Sequence, residues 1–197
     1  MDLSLFQALP IGLLMFASLA WGYFRRRSRQ RDAQLAFPDL AQRLGLVFRP
    51  ASDPRQIGQL HGTLRGYAVT VDPDEQRKLI VRFRGEPRID LRSYEGPRCP
   101  VGLKYYSSPN RALNKFFPTR FASDEMAQRL DRAHLDPLLE PFQRRYRHAV
   151  KQLNITQHGV TCVLDFGNPP HIPALAVEEL LPALLDWAEL IEPPEPS

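Results

Sequence analysis

The chain is short of the residues that staple, ligate metals or catalyse. Only two of its 197 residues are cysteine and five are histidine. Cys99 and Cys162 are too few to build a disulfide framework in a domain of this size. His61, His134, His148, His158 and His171 are scattered over separate segments, without the clustered Cys/His spacing of a zinc site. The glycines at 58, 62 and 66 lie inside a strand pattern and are followed by no Gly-Lys-Ser/Thr, so they form no phosphate loop. The most enzyme-like set is Cys162, Asp165 and His171, a thiol–carboxylate–imidazole combination. Cys162 and Asp165 are three apart on a strand pattern, however, and so point to opposite faces. The reading expects no catalytic residue, no cofactor and no metal, and takes the protein as not an enzyme.

Charge is absent from one long stretch. Leu3 to Phe24 contains no charged side chain, and Arg25, Arg26, Arg27, Arg29 and Arg31 follow at once. As a helix rising about 1.5 Å per residue, this run spans roughly the 30 Å of a bilayer core. Trp21 and Tyr23 stand at its charged end, where amphipathic rings favour the lipid–water boundary. A cleaved signal peptide carries its charge ahead of the apolar stretch, and here the charge comes after. The expectation is a single-pass signal-anchor. The arginine asymmetry sets its N-terminus outside and the following domain in the cytoplasm, which leaves both cysteines as thiols. The strip also makes anionic lipid head groups a candidate partner, beside the bilayer itself.

Net charge is otherwise nearly missing. Of the formal +4, the arginine strip less Asp2 and Asp32 supplies three, so the domain is close to neutral. Arg65, Arg82, Arg84, Arg88 and Arg92 fall on strand patterns but are interleaved with Asp72, Glu86 and Asp90. Such a mixed face argues against nucleic acid, whose readers carry a basic excess.

The patterns that remain divide the chain into an anchor at 1–24, a basic juxtamembrane linker at 25–34, one domain at 35–192 and a frayed tail at 193–197. Phe37 to Leu46 reads as a short helix with Pro38 in its first turn and Gly45 ending it. Strict alternation at Leu60–Leu64, Tyr67–Val71, Leu79–Phe83 and Ile89–Leu91, punctuated by Gly, Pro and Asp, predicts an antiparallel meander with one wet face. Val101–Tyr106 contains a further short strand. Ser123 or Asp124 caps a helix through Ala133, and a second helix is expected from Phe142 to about Lys151. Ile155–Thr156 and Val160–Phe166 form a closing hairpin around Gln157-His158-Gly159. An amphipathic helix follows, its face made by Val177, Leu180, Leu181, Leu184, Leu185, Ala188 and Ile191, kinked or split at Pro182.

The fold class is therefore α+β: an N-terminal transmembrane helix, then a mainly antiparallel sheet of five to seven strands covered on one face by helices. Phe116, Phe117 and Phe121 form the densest aromatic cluster, either a contact patch for a partner or an edge strand beneath the helices. The function expected is a membrane-anchored, non-catalytic protein-interaction module. The alternative is a lipid or other apolar small molecule held between the sheet and the C-terminal helix.

Overall fold

The computed structural model describes residues 3–96, 98–167 and 171–192, with the side chains of 3–14, 25, 26 and 29 outside that description. The first element, α1, runs unbroken from Leu3 to Leu44. It takes in the segment 25–34 that the sequence reading makes a linker. It ends in a Schellman motif: Gly45 adopts φ +66°, its N–H reaches Gln42 O at 3.2 Å, and Leu46 N–H reaches Ala41 O at 2.8 Å. Glycine is favoured there because a left-handed residue with a Cβ is strained.

Pro38 lies inside α1 and not at a first turn. An interior proline costs about 3 kcal/mol. The burial of Ala33, Phe37, Leu40 and Ala41, none more than 7% exposed, offsets that cost, since each large apolar side chain contributes about 1.5–3 kcal/mol. The stretch 3–24 is helical, but its side chains are described only from Met15 onward. Among the described residues no helix is long and apolar enough to cross a membrane.

The remaining elements are β1 (Val47–Pro50), β2 (Gly58–Leu64), β3 (Tyr67–Asp72), β4 (Lys78–Arg82), β5 (Ile89–Arg92), β6 (Lys104–Tyr105), α2 (Arg111–Phe116), β7 (Thr119–Ala122), α3 (Asp124–Arg132), α4 (Asp136–Glu140), β8 (Val150–Thr156), β9 (Gly159–Leu164) and α5 (Ala174–Ile191). The protein is a mixed α+β fold with one large antiparallel sheet. Among the described residues the sheet has nine strands, ordered β1-β2-β3-β4-β9-β8-β5-β7-β6, which exceeds the five to seven expected. The meander is real from β1 to β4. It is interrupted there, because the β8–β9 hairpin inserts between β4 and β5.

Pairing puts the apolar residues on one face. Val71, Leu79, Cys162 and Leu153 line up across four strands, as do Val69, Val81, Val160, Ile155 and Leu91 across five. All are 2% exposed or less, and α5 packs over this face on β3, β4 and β9. Gly62 belongs to the same face and makes room for Leu46, whose Cδ2 would stand 2.7 Å from a Cβ placed there. The opposite face carries Thr70, Ile80, Thr161 and Asn154, partly accessible.

Two further expectations are corrected. The second helix is short: α4 passes into a single π-helical turn at Pro141–Arg145, and Val150 already belongs to β8. Ala149, Val150 and Leu153 have helical spacing, but backbone pairing with β9 gives this segment more hydrogen bonds than an isolated helical turn would. α5 is not split at Pro182 but remains one element through it, with the proline exposed. Buried leucines on both sides hold the helix to the sheet there. The helix at Asp124 starts as expected, with the Ser123 side chain accepting from Met126 N–H.

Candidate functional site

A groove of about 1030 Å³ runs between α1 and the loops at one end of the sheet. Tyr23, Arg27, Gln30, Arg31 and Gln34 form the helix wall. Pro54–Gln56, between β1 and β2, and Asp74, Glu75 and Arg77, between β3 and β4, form the other, together with His171. Hydrogen bonds fix this geometry. Gln34 Nε2 donates to Pro54 O and to Gln56 O, both at 2.8 Å, tying the β1–β2 loop to the helix. Asp74 Oδ2 accepts from Ile57 N–H at 2.7 Å and Gly58 N–H at 3.1 Å, tying the two loops together. Burial raises the Asp74 carboxyl above its ordinary value, opposed by those two backbone donors and by the nearby His171. Ile172 N–H donates to Pro73 O at 3.0 Å, which holds the His171 segment under the β3–β4 turn.

Acids and bases in the groove are not equally engaged. Asp74 is committed to the backbone, and Glu75 accepts from Gln56 Nε2 at 2.9 Å. Arg77 pairs with Asp165 at 2.7 Å, which also holds Lys151 at 2.6 Å. That lysine, then Gly167 N–H, pulls the Asp165 carboxyl below its ordinary value. The side chains of Arg27, Arg31 and Arg55 have no hydrogen-bond or ion-pair partner among the described residues, and all three are exposed. The lining holds no Ser, Thr or Cys, so it offers polar and cationic contacts and no hydroxyl or thiol nucleophile apart from the Tyr23 phenol.

A smaller groove of about 460 Å³ lies at β5, under the loop at 100–103. Its Asp90 and Arg92 neutralise one another through a two-point contact, Nε–Oδ1 at 2.7 Å and Nη2–Oδ2 at 3.0 Å.

The residues singled out from the sequence are distributed as follows. Cys162 is wholly buried on the core face and burial pushes its thiol up to about 12. Asp165 turns to Arg77 and Lys151, and His171 to the groove, so the three do not assemble. Cys99 is an exposed free thiol. The aromatic cluster is divided. Phe117 is 0% exposed and meets Trp187 edge-on, Phe116 is half-buried against Phe117 and Phe142, and Phe121 is half-buried beside Tyr105. Of the arginine strip, the side chains of Arg25, Arg26 and Arg29 lie outside the described residues. Among the described residues no group of His, Cys, Asp and Glu is gathered as a metal site.

Sequence reasoning missed the groove, whose walls are separated by up to 148 positions from Tyr23 to His171. It also missed Arg120, 7% exposed, which donates to Tyr106 O at 3.1 Å, Asn114 O at 2.6 Å and Phe117 O, and sits over the Tyr105 ring. This guanidinium is satisfied by carbonyls at the α2–β7 corner and serves the fold.

No family model and no curated protein matches the chain. Among solved structures, the fold resembles the crystal structure of the mycobacterial trehalose monomycolate transport factor A, TtfA. The TM-score is 0.50 at 13% identity, covering 85% of this chain and 99% of that one. At that identity the likeness describes the fold alone.

Proposed function

We propose that the protein is a single-pass membrane protein, anchored through 3–24 with its N-terminus outside, whose cytoplasmic domain is a non-catalytic binding module engaging another protein at the membrane surface. The observation that supports this is the continuity of α1. The helix that carries the uncharged run and the arginine strip continues without a break into the core, where Phe37 and Leu40 are 0% exposed. A domain mounted on such a helix is held at a fixed distance and angle from whatever its first half occupies. A flexible linker would leave both undefined.

The test has two readouts. The full chain should stay in the pellet after alkaline carbonate extraction of membranes. A reporter fused after Ser197 should register only on the cytoplasmic side. Release by carbonate, an external reporter, or a mature chain beginning after Ala20 would each overturn the anchor reading. Affinity purification from gently solubilised membranes should recover a stoichiometric partner, and repeated recovery of the chain alone counts against the protein-interaction role.

A second reading is lipid binding, favoured by the existence of a chain of this fold that is a trehalose monomycolate transport factor. The location first expected for it, between sheet and α5, is occupied by the protein's own side chains. Leu180, Leu181, Leu184, Leu185 and Trp187 are no more than 4% exposed. A lipid-facing role therefore passes to the groove beside α1.

A further inference from the structure

We infer that the groove between α1 and the two loops is a site for the phosphate-bearing head group of an anionic lipid. This rests on the membrane-anchored reading above and deepens it. Three observations converge on the same wall-to-wall space. The first is position along the helix. Arg27 and Arg31 lie three and seven residues past Phe24, about 4.5 and 10 Å along the axis. With the uncharged run filling the hydrocarbon core, Arg27 sits within the head-group layer, roughly 5–8 Å thick on each side, and Arg31 a few ångströms beyond it, within reach of its long side chain. The Tyr23–Arg27 end of the groove thus opens at the depth where lipid phosphates lie, and its Gln34 end faces the water beyond.

The second is charge. Arg27 and Arg31 on the helix stand across the groove from Arg55 on the β1–β2 loop, and none of the three guanidinium groups has a partner among the described residues, whereas the Asp74 and Glu75 carboxyl groups are turned to Ile57, Gly58 and Gln56. A phosphate between the walls meets guanidinium forks from both sides, and such forks match its oxygens two at a time. The third is construction. The loop that carries Arg55 is fastened to the helix by both hydrogen bonds of Gln34 and is shaped by the Asp53 side chain accepting from Arg55 N–H at 2.8 Å. The backbone segments that carry the opposing cations are therefore fixed to one another. An exposed strip on a lone helix attracts anionic membrane through diffuse charge. A second wall supplied by the folded domain adds a residue that such attraction has no reason to need.

That distinction defines the experiment. The full chain in a neutral maltoside detergent is titrated with dioleoyl phosphatidic acid, phosphatidylglycerol or phosphatidylcholine, and bound lipids are counted by native mass spectrometry. The two anionic lipids should bind about tenfold more tightly than the choline lipid, and Arg55→Gln should remove about tenfold of that affinity, the worth of one charge-assisted contact. Arg27→Gln and Arg31→Gln should do the same. Arg132→Gln, on α3 and away from the groove, should stay within about twofold.

Equal binding of anionic and choline lipids would overturn the inference. So would an Arg55→Gln protein that keeps native affinity while Arg27→Gln and Arg31→Gln lose it, because binding would then belong to the strip alone. Displacement of the lipid by an equal concentration of glycerol 3-phosphate would make the ligand a soluble phosphate ester and overturn the membrane source. All four variants change exposed side chains, and an unchanged thermal midpoint checks that they fold. Loss of lipid preference with carbonate-resistant anchoring refutes the groove alone, and release by carbonate with Arg55-dependent binding intact refutes the anchor alone.

Discussion

Residues 15–24 and 33–41 belong to the same helix, yet their apolar side chains meet opposite surroundings. Met15, Phe16, Leu19, Trp21, Tyr23 and Phe24 are 61–73% exposed, whereas Ala33, Phe37, Leu40 and Ala41 are 7% exposed or less. Continuity of backbone makes the comparison informative, because helix propensity and geometry are shared and only the partner differs. The second half is stabilised by the sheet and α5, with the exposed Arg43–Glu178 pair at 3.2 Å adding little. Among the described residues no protein surface buries the large apolar side chains of the first half. Exposed apolar side chains of that size mark a surface meant to be covered, and on the anchored reading proposed above lipid is what covers it.

Phe37→Ala should produce the largest effect, since it opens a cavity where the helix meets the core. A loss of about 3–5 kcal/mol in denaturant unfolding is expected. Phe24→Ala, the same chemical change in the other half, should stay within about 0.5 kcal/mol. Equal losses at both positions would erase the distinction between the halves. Leu19→Arg should reverse the pattern. It should leave domain unfolding unchanged while opposing membrane insertion, at less than the roughly 2.5–3.5 kcal/mol of a charge at a helix centre, read as the share of chain released by carbonate.

A smaller effect is expected where the two halves join. Gln34→Ala removes two hydrogen bonds to loop carbonyls, about 0.5–1.5 kcal/mol each at most for a partly exposed site. Faster amide exchange should follow at residues 54–58, with little change around Phe37.

The smallest is a pH effect just outside the groove, at the partner of Arg77. The Asp165 carboxyl is held below its ordinary value, so its contribution is complete above the unfolded carboxylate value of about 3.9 and fades as pH falls through the lower folded value. Acid unfolding of Asp165→Asn should therefore be less steep below about pH 4 than that of the native chain, and the two should run parallel above it. A divergence that grows between pH 5 and 8 would contradict the sign of that shift.

How far the sequence carries the fold depends on whether the signal is local. Strands β2, β3, β4 and β5 were legible because period-two alternation is written residue by residue. Gly45 announced its helix end and Ser123 its cap for the same reason. The insertion of β8–β9 between β4 and β5 was not legible, because strand order depends on pairings between distant positions, such as Leu79 with Cys162 and Arg92 with Asn154. At Ala149, Val150 and Leu153 helical spacing occurs by coincidence, and sheet pairing overrides it. The groove was half legible. Arg27 and Arg31 stood out as a strip, but Arg55, Asp74 and His171 reach it only through loop geometry.

The central claim is that one rigid helix joins a lipid-covered half to a domain-covered half. Spin labels at Leu19→Cys and Leu35→Cys test it directly in a Cys99→Ser background, where Cys162 is shielded by burial. Both positions are at least 70% exposed and are separated by about 24 Å along a continuous helix. In proteoliposomes the account predicts one narrow distance near that separation, with the label at 19 relaxed by oxygen and the label at 35 by an aqueous nickel reagent. A broad distance distribution, or a label at 19 as open to nickel as the one at 35, would contradict it.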